Sequence, residues 1–214
     1  MEHLEATANK IEAMGRGSLA LTCDVRKEDQ VVAVVEQTVR KFGRLDILVN
    51  NAGASFVCPI EDVSLNGWNA VFGINVTGTF LFSKAACKEM KKQDKGVIIN
   101  IASIAGRDSS PMMTPYGAAK AAVINLTKAL AVEFAQYNIR VNCIGPGLII
   151  TEAVQQQMGI TPESTKERFQ GVPLGRWGNP EEIAWPVVFL ASDASSYMTG
   201  ETIYIDGGPR AFEG

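Results

Sequence analysis

Apolar residues recur along this chain in two rhythms, the three-to-four-residue spacing of amphipathic helices and short unbroken runs closed by polar or glycine turns. Residues 2–14 carry Leu4, Ala8, Ile11 and Met14 among charges and stop at Gly15, which predicts a helix. Ser18-Leu-Ala-Leu-Thr-Cys23 predicts a strand, ending in Asp24-Val25. Glu28 to Phe42 sets Val31, Val32, Val35, Val39 and Phe42 at helical spacing, with Gly43 as the stop. A buried strand follows at 45–49 and runs into Asn50-Asn51-Ala52-Gly53. A long helix is predicted over about 66–92, weakly broken at Gly73 and Gly78. Then come a strand at 97–102, a loop to Pro115, a helix at 116–136 and a strand at 139–144. Pro146-Gly147 opens an irregular polar stretch reaching about Arg176. Asn179-Pro180-Glu181-Glu182 starts another helix with a cap residue, a first-turn proline and carboxylates at the positive dipole end. A last strand, 202–205, precedes Asp206-Gly-Gly.

Strands alternating with helices predict an α/β fold, a doubly wound parallel sheet with helices on both faces. With 214 residues and no linker or repeat, one domain over 1–214 is the simplest division. Ligands of such sheets sit beyond the carboxyl ends of the strands. Asp24, Asn50–Gly53, Ser103 and Pro146–Gly147 each follow such an end. Four polar or glycine-bearing turns at one edge predict a site.

The helix after Pro115 adds chemistry. Val123, Leu126, Leu130 and Phe134 give it a core face, and Tyr116 and Lys120 stand at i and i+4 on one side. A phenol one turn from an ammonium is an acid–base pair, and the cation is expected to favour the phenolate and lower the Tyr116 pKa. Ser103 lies thirteen residues upstream of Tyr116, just past a predicted strand. The plain alternatives are a Tyr at a helix start with a solvated Lys, and a Ser that caps a turn.

Composition narrows the classes of function. A net charge of −3 gives no electrostatic reason to expect nucleic acid or an anionic membrane surface. The four cysteines are widely spaced and there is a single histidine, His3, so no Cys/His metal site is expected and the thiols are expected to be reduced. No apolar run is read as a membrane span and the polar start is no signal peptide, so the expectation is a cytoplasmic protein.

Asp24-Val25, Asn50-Asn-Ala-Gly53, Asn75, Ser103, Tyr116-Gly-Ala-Ala-Lys120, Pro146-Gly147 with Thr151, and Asp206-Gly-Gly208 occur in that order across the chain. Together they resemble the short-chain dehydrogenase/reductase family. A lone Tyr-x-x-x-Lys would mean little; seven elements in order are specific. The resemblance implies a Rossmann-like fold and an NAD(P)-dependent enzyme, with NAD or NADP as cofactor and the choice unreadable. It also implies a small carbonyl or alcohol substrate, of 3-oxoacyl or hydroxysteroid type. Enoyl reductases fit less well, because they separate Tyr and Lys more widely. Members are usually homodimers or homotetramers that pair the 66–92 and 116–136 helices and the last strand.

By this resemblance Tyr116 is the proton donor and acceptor, and Lys120 its partner and a ligand of the nicotinamide ribose. Ser103 holds the substrate oxygen, and Asn75 holds a water behind Lys120. Packing without catalysis is the other reading of Asn75. Asp24 and Val25 would meet the adenine, though Asp24 reads almost as well as a cap on the next helix. Asn50, Ala52 and Gly53 would form the floor under the adenosine ribose, while Asn51 staples the sheet. Pro146, Gly147, Ile149 and Thr151 would border the nicotinamide half. Residues 152–172 look like the family's substrate lid, and Met112, Met113, Val57 and Phe169 suggest an apolar pocket.

One departure stands out. Family members open with a strand, a Thr-Gly-x-x-x-Gly-x-Gly turn, a helix and a second strand, and this chain shows none of them. The expectation is an N-terminally truncated domain lacking roughly 30–40 residues of that unit. Residues 18–23 should then slide to pair with 45–49 or dock loosely across a gap of about 14 Å. The alternative function is a catalytically impaired chain or a non-catalytic oligomer partner without the pyrophosphate-binding turn.

Overall fold

The computed structural model describes residues 2–151, 154 and 171–208. Four strands, β1 (Ile47–Asn50), β2 (Gly96–Ile101), β3 (Ile139–Pro146) and β4 (Thr202–Ile205), form one all-parallel sheet in the order β1-β2-β3-β4. The α-helices whose bounds lie among the described residues are α1 (Glu2–Ala13), α2 (Glu28–Phe42), α3 (Leu65–Phe72), α4 (Gly78–Gln93), α5 (Thr114–Phe134) and α6 (Pro180–Ala191). Side chains alternate across each strand, so each sheet face gathers its own cluster. Ile98 and Val141 turn one way into Ala86 and Met90 of α4 and Leu130 and Phe134 of α5. Val97, Ile99 and Ile144 turn the other way under Leu190 of α6. Helices on both faces of a parallel sheet is the predicted class, and the near-continuous apolar runs of β2 and β3 follow from it.

A polar row crosses this interior. Asn50, Asn100 and Cys143 are in register on β1, β2 and β3. Asn50 Nδ2 donates to Ser83 Oγ of α4 (3.1 Å) and to Asn100 Oδ1 (2.8 Å). Asn100 Nδ2 donates to Thr127 Oγ1 of α5 at 2.9 Å. Buried amides need such partners, and these bonds fix the register of both helices against the carboxyl ends of β1 and β2.

Several elements differ from the sequence reading. Residues 18–23 form no strand. They lie along α2, with Lys41 Nζ donating to Ser18 O at 2.7 Å and Cys23 packed against the Val31–Val35 cluster. A strand needs a neighbouring edge about 4.8 Å away; this segment pairs with none of the described strands, and the apolar run finds its contacts on a helix. β1 begins at Ile47 rather than Leu45, because the Gln93 side chain takes both backbone groups of Leu45 (3.2 and 3.0 Å). The long helix is a composite in which a π turn, Gly73–Thr77, separates α3 from α4. By length and composition the stretch Leu65–Gln93, mean hydropathy 1.3, could cross a bilayer, contrary to expectation. Half of it is buried, and Leu81, Ala85, Ala86 and Met90 pack into the core, as in the central helix of a globular domain. All four cysteines are free thiols.

Candidate active site

β2 ends at Ile101 and delivers Ser103, extended at φ −170° and ψ 159°, to the carboxyl edge of the sheet. One 3-10 turn, Ile104–Gly106, then leads the chain away, and Ser103 Oγ accepts from Ala105 N at 3.1 Å. Gly106 lies on the backbone of α5, where an added Cβ would come within 2.6 Å of the Lys120 carbonyl carbon. Only a glycine lets the turn sit that close. α5 starts with Pro115 in its first turn and puts the Tyr116 phenol beside the Ser103 hydroxyl.

Burial pushes the Tyr116 phenol up, and the Ser103 hydrogen bond offsets part of that rise. This reverses the expected downward shift. Lys120 Nζ stands 5.4 Å from the Tyr116 ring centroid and donates to Ile101 O at 2.8 Å. Lys120 is only 4% exposed, and desolvation lowers its pKa from 10.5 to about 8, with Cys143 opposing weakly.

Asn75 lies in the π turn and is 1% exposed. Its Nδ2 donates to Val71 O (2.9 Å) and to Ala54 O (2.8 Å), tying the turn after β1 to the helix. Its Oδ1 has no partner. A Cβ added at Gly53 would lie 2.9 Å from this oxygen and 3.4 Å from Lys120 Nζ. An orphaned amide oxygen and an ammonium with spare donors thus converge on a space that glycine keeps open, fit for a small hydroxyl-bearing group.

The candidate cofactor residues divide. Ala52 and Gly53 are exposed on the turn beside Asn75. The Asn50 side chain is committed to the sheet interior, so the stapling role expected of Asn51 belongs to Asn50, and Asn51 is exposed. The Asp24 carboxylate is gripped by Arg26 (Nε 2.8, Nη2 2.8 and backbone N 3.1 Å), which lowers its pKa to about 2. Val25 rests on Gly78, and the Arg26 stem on Gly73, so both glycines are docking points on the composite helix. Pro146 ends β3, and Gly147 N donates to Ile205 O at 2.9 Å. Ile149 bridges to Gly178, and Thr151 Oγ1 accepts from Val154 N at 3.2 Å. Met112 and Val57 are exposed at the loop tips, Met113 half-buried, while Phe169 and nearly all of the expected lid lie outside the described residues.

Arg107 was not singled out by sequence. Its guanidinium binds Asp108 (2.9 Å twice) and Asp206 Oδ2 (3.0 Å) and stacks 4.3 Å over the Tyr204 ring. The only signal was an Arg-Asp pair four residues past Ser103. A cleft of about 820 Å³ opens at the other end of the strands, where Lys95 pairs with Asp193 at 3.5 Å and Asp94 accepts from Asn138 at 3.0 Å. None of the site residues lines it. No cluster of potential metal ligands occurs among the described residues.

A family model described as enoyl-(acyl carrier protein) reductase matches residues 1–209. The chain is 40% identical over 208 residues to the 3-oxoacyl-[acyl-carrier-protein] reductase FabG of Thermotoga maritima, spanning 97% of this chain and 83% of that protein. Among solved structures, NAD+-bound xylitol dehydrogenase superposes with a TM-score of 0.91 at 36% identity, covering 97% of this chain and 85% of the other. ElxO with NADP bound gives 0.83 at 38% identity, covering 88% and 76%.

Proposed function

The chain belongs to the short-chain dehydrogenase/reductase family, and from that premise we propose that it interconverts a ketone and a secondary alcohol with NAD or NADP. The observation that carries this reading is the convergence of Ser103 and Tyr116, with buried Lys120 one turn along, at the carboxyl edge of a parallel sheet.

A bound nicotinamide supplies hydride to the carbonyl carbon or takes it back from the alcohol. Ser103 Oγ–H donates to the substrate oxygen and holds it beside Tyr116. Tyr116 gives its proton to that oxygen as the alcohol forms and removes it in the reverse direction. Because burial keeps the phenol protonated in the free chain, the resting site is set for donation. Lys120, still charged at neutral pH, lowers the energy of the phenolate left behind. The space between Asn75 Oδ1 and Lys120 Nζ suits a water or a ribose hydroxyl, through which a solvent proton can pass to the Tyr116 phenolate and restore the phenol, Lys120 staying charged. Ala52 and Gly53 would form the floor under the adenosine ribose, Pro146, Gly147, Ile149 and Thr151 would border the nicotinamide half, and Asp24 and Val25 would meet the adenine. The pyrophosphate is assigned no contact, since no glycine-rich turn enters a helix among the described residues.

Carbonyl rather than enoyl reduction is favoured by the three-residue spacing between Tyr116 and Lys120 and by the 3-oxoacyl reductase relative. The same reading takes the chain as one cytoplasmic domain that forms homodimers or homotetramers. Exposed Val132, Trp185 and Val188, on α5 and α6, are apolar surface available for such pairing.

The test is NADH and NADPH titration by tryptophan fluorescence, followed by absorbance assays on 3-oxoacyl thioesters, sugar ketones and steroid ketones. Oxidation of one cofactor by at least one ketone class, abolished in Tyr116→Phe, is expected. No binding at millimolar cofactor and no turnover of any ketone would sink the reading.

A further inference from the structure

The turn that carries Ser103 is held from two sides, and only one of them is helix α5. Gly106 seats it on α5 at Lys120. On the opposite side Arg107, the next residue, reaches the end of β4: Nη2 to Asp206 Oδ2 at 3.0 Å, with the guanidinium 4.3 Å over Tyr204. Tyr204 lies in turn against Gly145, where a Cβ would come within 2.5 Å of its ring, and Asp206 against Gly147, at 2.6 Å. Asp206 is well anchored, its side chain 13% exposed and its Oδ1 accepting from Gly208 N at 3.1 Å. Nε and Nη2 of Arg107 also hold Asp108 on the same turn. The guanidinium therefore joins the turn after β2 to the close-packed ends of β3 and β4, in a fork geometry that lysine cannot reproduce.

We propose that Arg107 is a positioning residue for Ser103: by clamping the Ser103 turn to Asp206 and Tyr204 it keeps the Ser103 hydroxyl in hydrogen-bonding range of the Tyr116 phenol. This rests on the reading of Ser103 and Tyr116 as the reacting pair. The physical case is one of tolerance. Catalytic hydrogen bonds weaken steeply with small displacements, and without Arg107 the turn beyond Ser103 loses its side-chain tie to the end of β4. Arg107 does not act on Tyr116 by charge, because its cation is matched by two carboxylates in direct contact.

The experiment replaces tyrosine with 3-fluorotyrosine and follows each residue's own 19F signal against pH, the Tyr116 signal being identified by its loss in Tyr116→Phe. Arg107→Gln and Asp206→Asn should each raise the Tyr116 midpoint by about half a pH unit or more, since the Ser103 bond is what lowers it. Steady-state rates should show kcat down about tenfold with KM within about twofold, and Arg107→Lys should recover only part. Asp206→Asn keeps the test alive if Arg107→Gln does not fold. Unchanged Tyr116 midpoints in folded variants overturn the proposal, whether or not activity falls. If the unsubstituted protein reduces no ketone while the midpoint still moves, the functional reading fails and the positioning role stands.

Discussion

Lys120 works against the fold that holds it. Its pKa drops from 10.5 to about 8 on burial, a penalty of about 3 kcal/mol for carrying charge at neutral pH, offset by about 1 kcal/mol from the bond to Ile101 O. Lys120→Met should therefore raise stability to urea at pH 7 by about 1–2 kcal/mol while abolishing reduction. The sign of the pH dependence follows. Between about 8 and 10.5 the unfolded chain keeps the lysine proton and the folded chain has lost it. Relative to Lys120→Met, the unsubstituted protein should gain stability as pH rises through that window. Urea midpoints at pH 7.5, 9 and 10 would read this, and a flat difference would reject it. Tyr116→Phe should lower kcat by about 10²–10⁴ with cofactor binding retained, measurable by the same fluorescence titration. The Tyr116–Lys120 pair was legible because helical spacing alone places it. The direction of the tyrosine's shift was not, because burial depends on neighbours that arrive from β2 and the Ser103 turn. The stapling role of Asn50, expected of Asn51, was not legible for a related reason, its partners Ser83 and Asn100 being 33 and 50 residues away.

At the scale of elements, close backbone approach sets the geometry of the site. Gly106→Ala would drive a methyl group against the Lys120 backbone, which cannot yield as a flexible side chain can. A loss of about 1–3 kcal/mol is expected, together with lower activity as the Ser103 turn lifts from α5. Thermal melts and kcat measured on one preparation would check both, and a neutral outcome would mean that the contact relaxes freely. Gly78→Ala meets mainly the side chain of Val25, its carbonyl oxygen lying farther off at 3.5 Å, and should be milder. The sequence located the composite helix and marked Gly73 and Gly78 as its weak points. It could not disclose the π turn between them, whose wider winding carries Asn75 with Nδ2 on both Val71 O and Ala54 O. An Asn in mid-helix was the one hint, since its propensity there is poor.

At the scale of the whole molecule, the parallel sheet with helices on both faces was legible because β2 and β3 are unbroken apolar runs separated by strongly periodic helices. The stretch at 18–23 was not, since a short apolar run reads the same whether it pairs in a ladder or lies along a helix. The Arg107 bridge was equally hidden, as its partner Asp206 is 99 residues away. Stability is unevenly shared across this architecture. From Leu4 to Ala13, α1 buries no side chain, and Leu4, Ile11 and Met14 remain 41%, 38% and 77% exposed. An exposed helix of this kind opens locally at little cost, long before the β2–β3 core does. Brief trypsin digestion should cut first at Lys10 and Arg16, leaving a fragment beginning near Gly17 that resists further cleavage. That fragment would retain Ser103, Tyr116 and Lys120, and it offers a leaner starting point for crystallisation than the full chain.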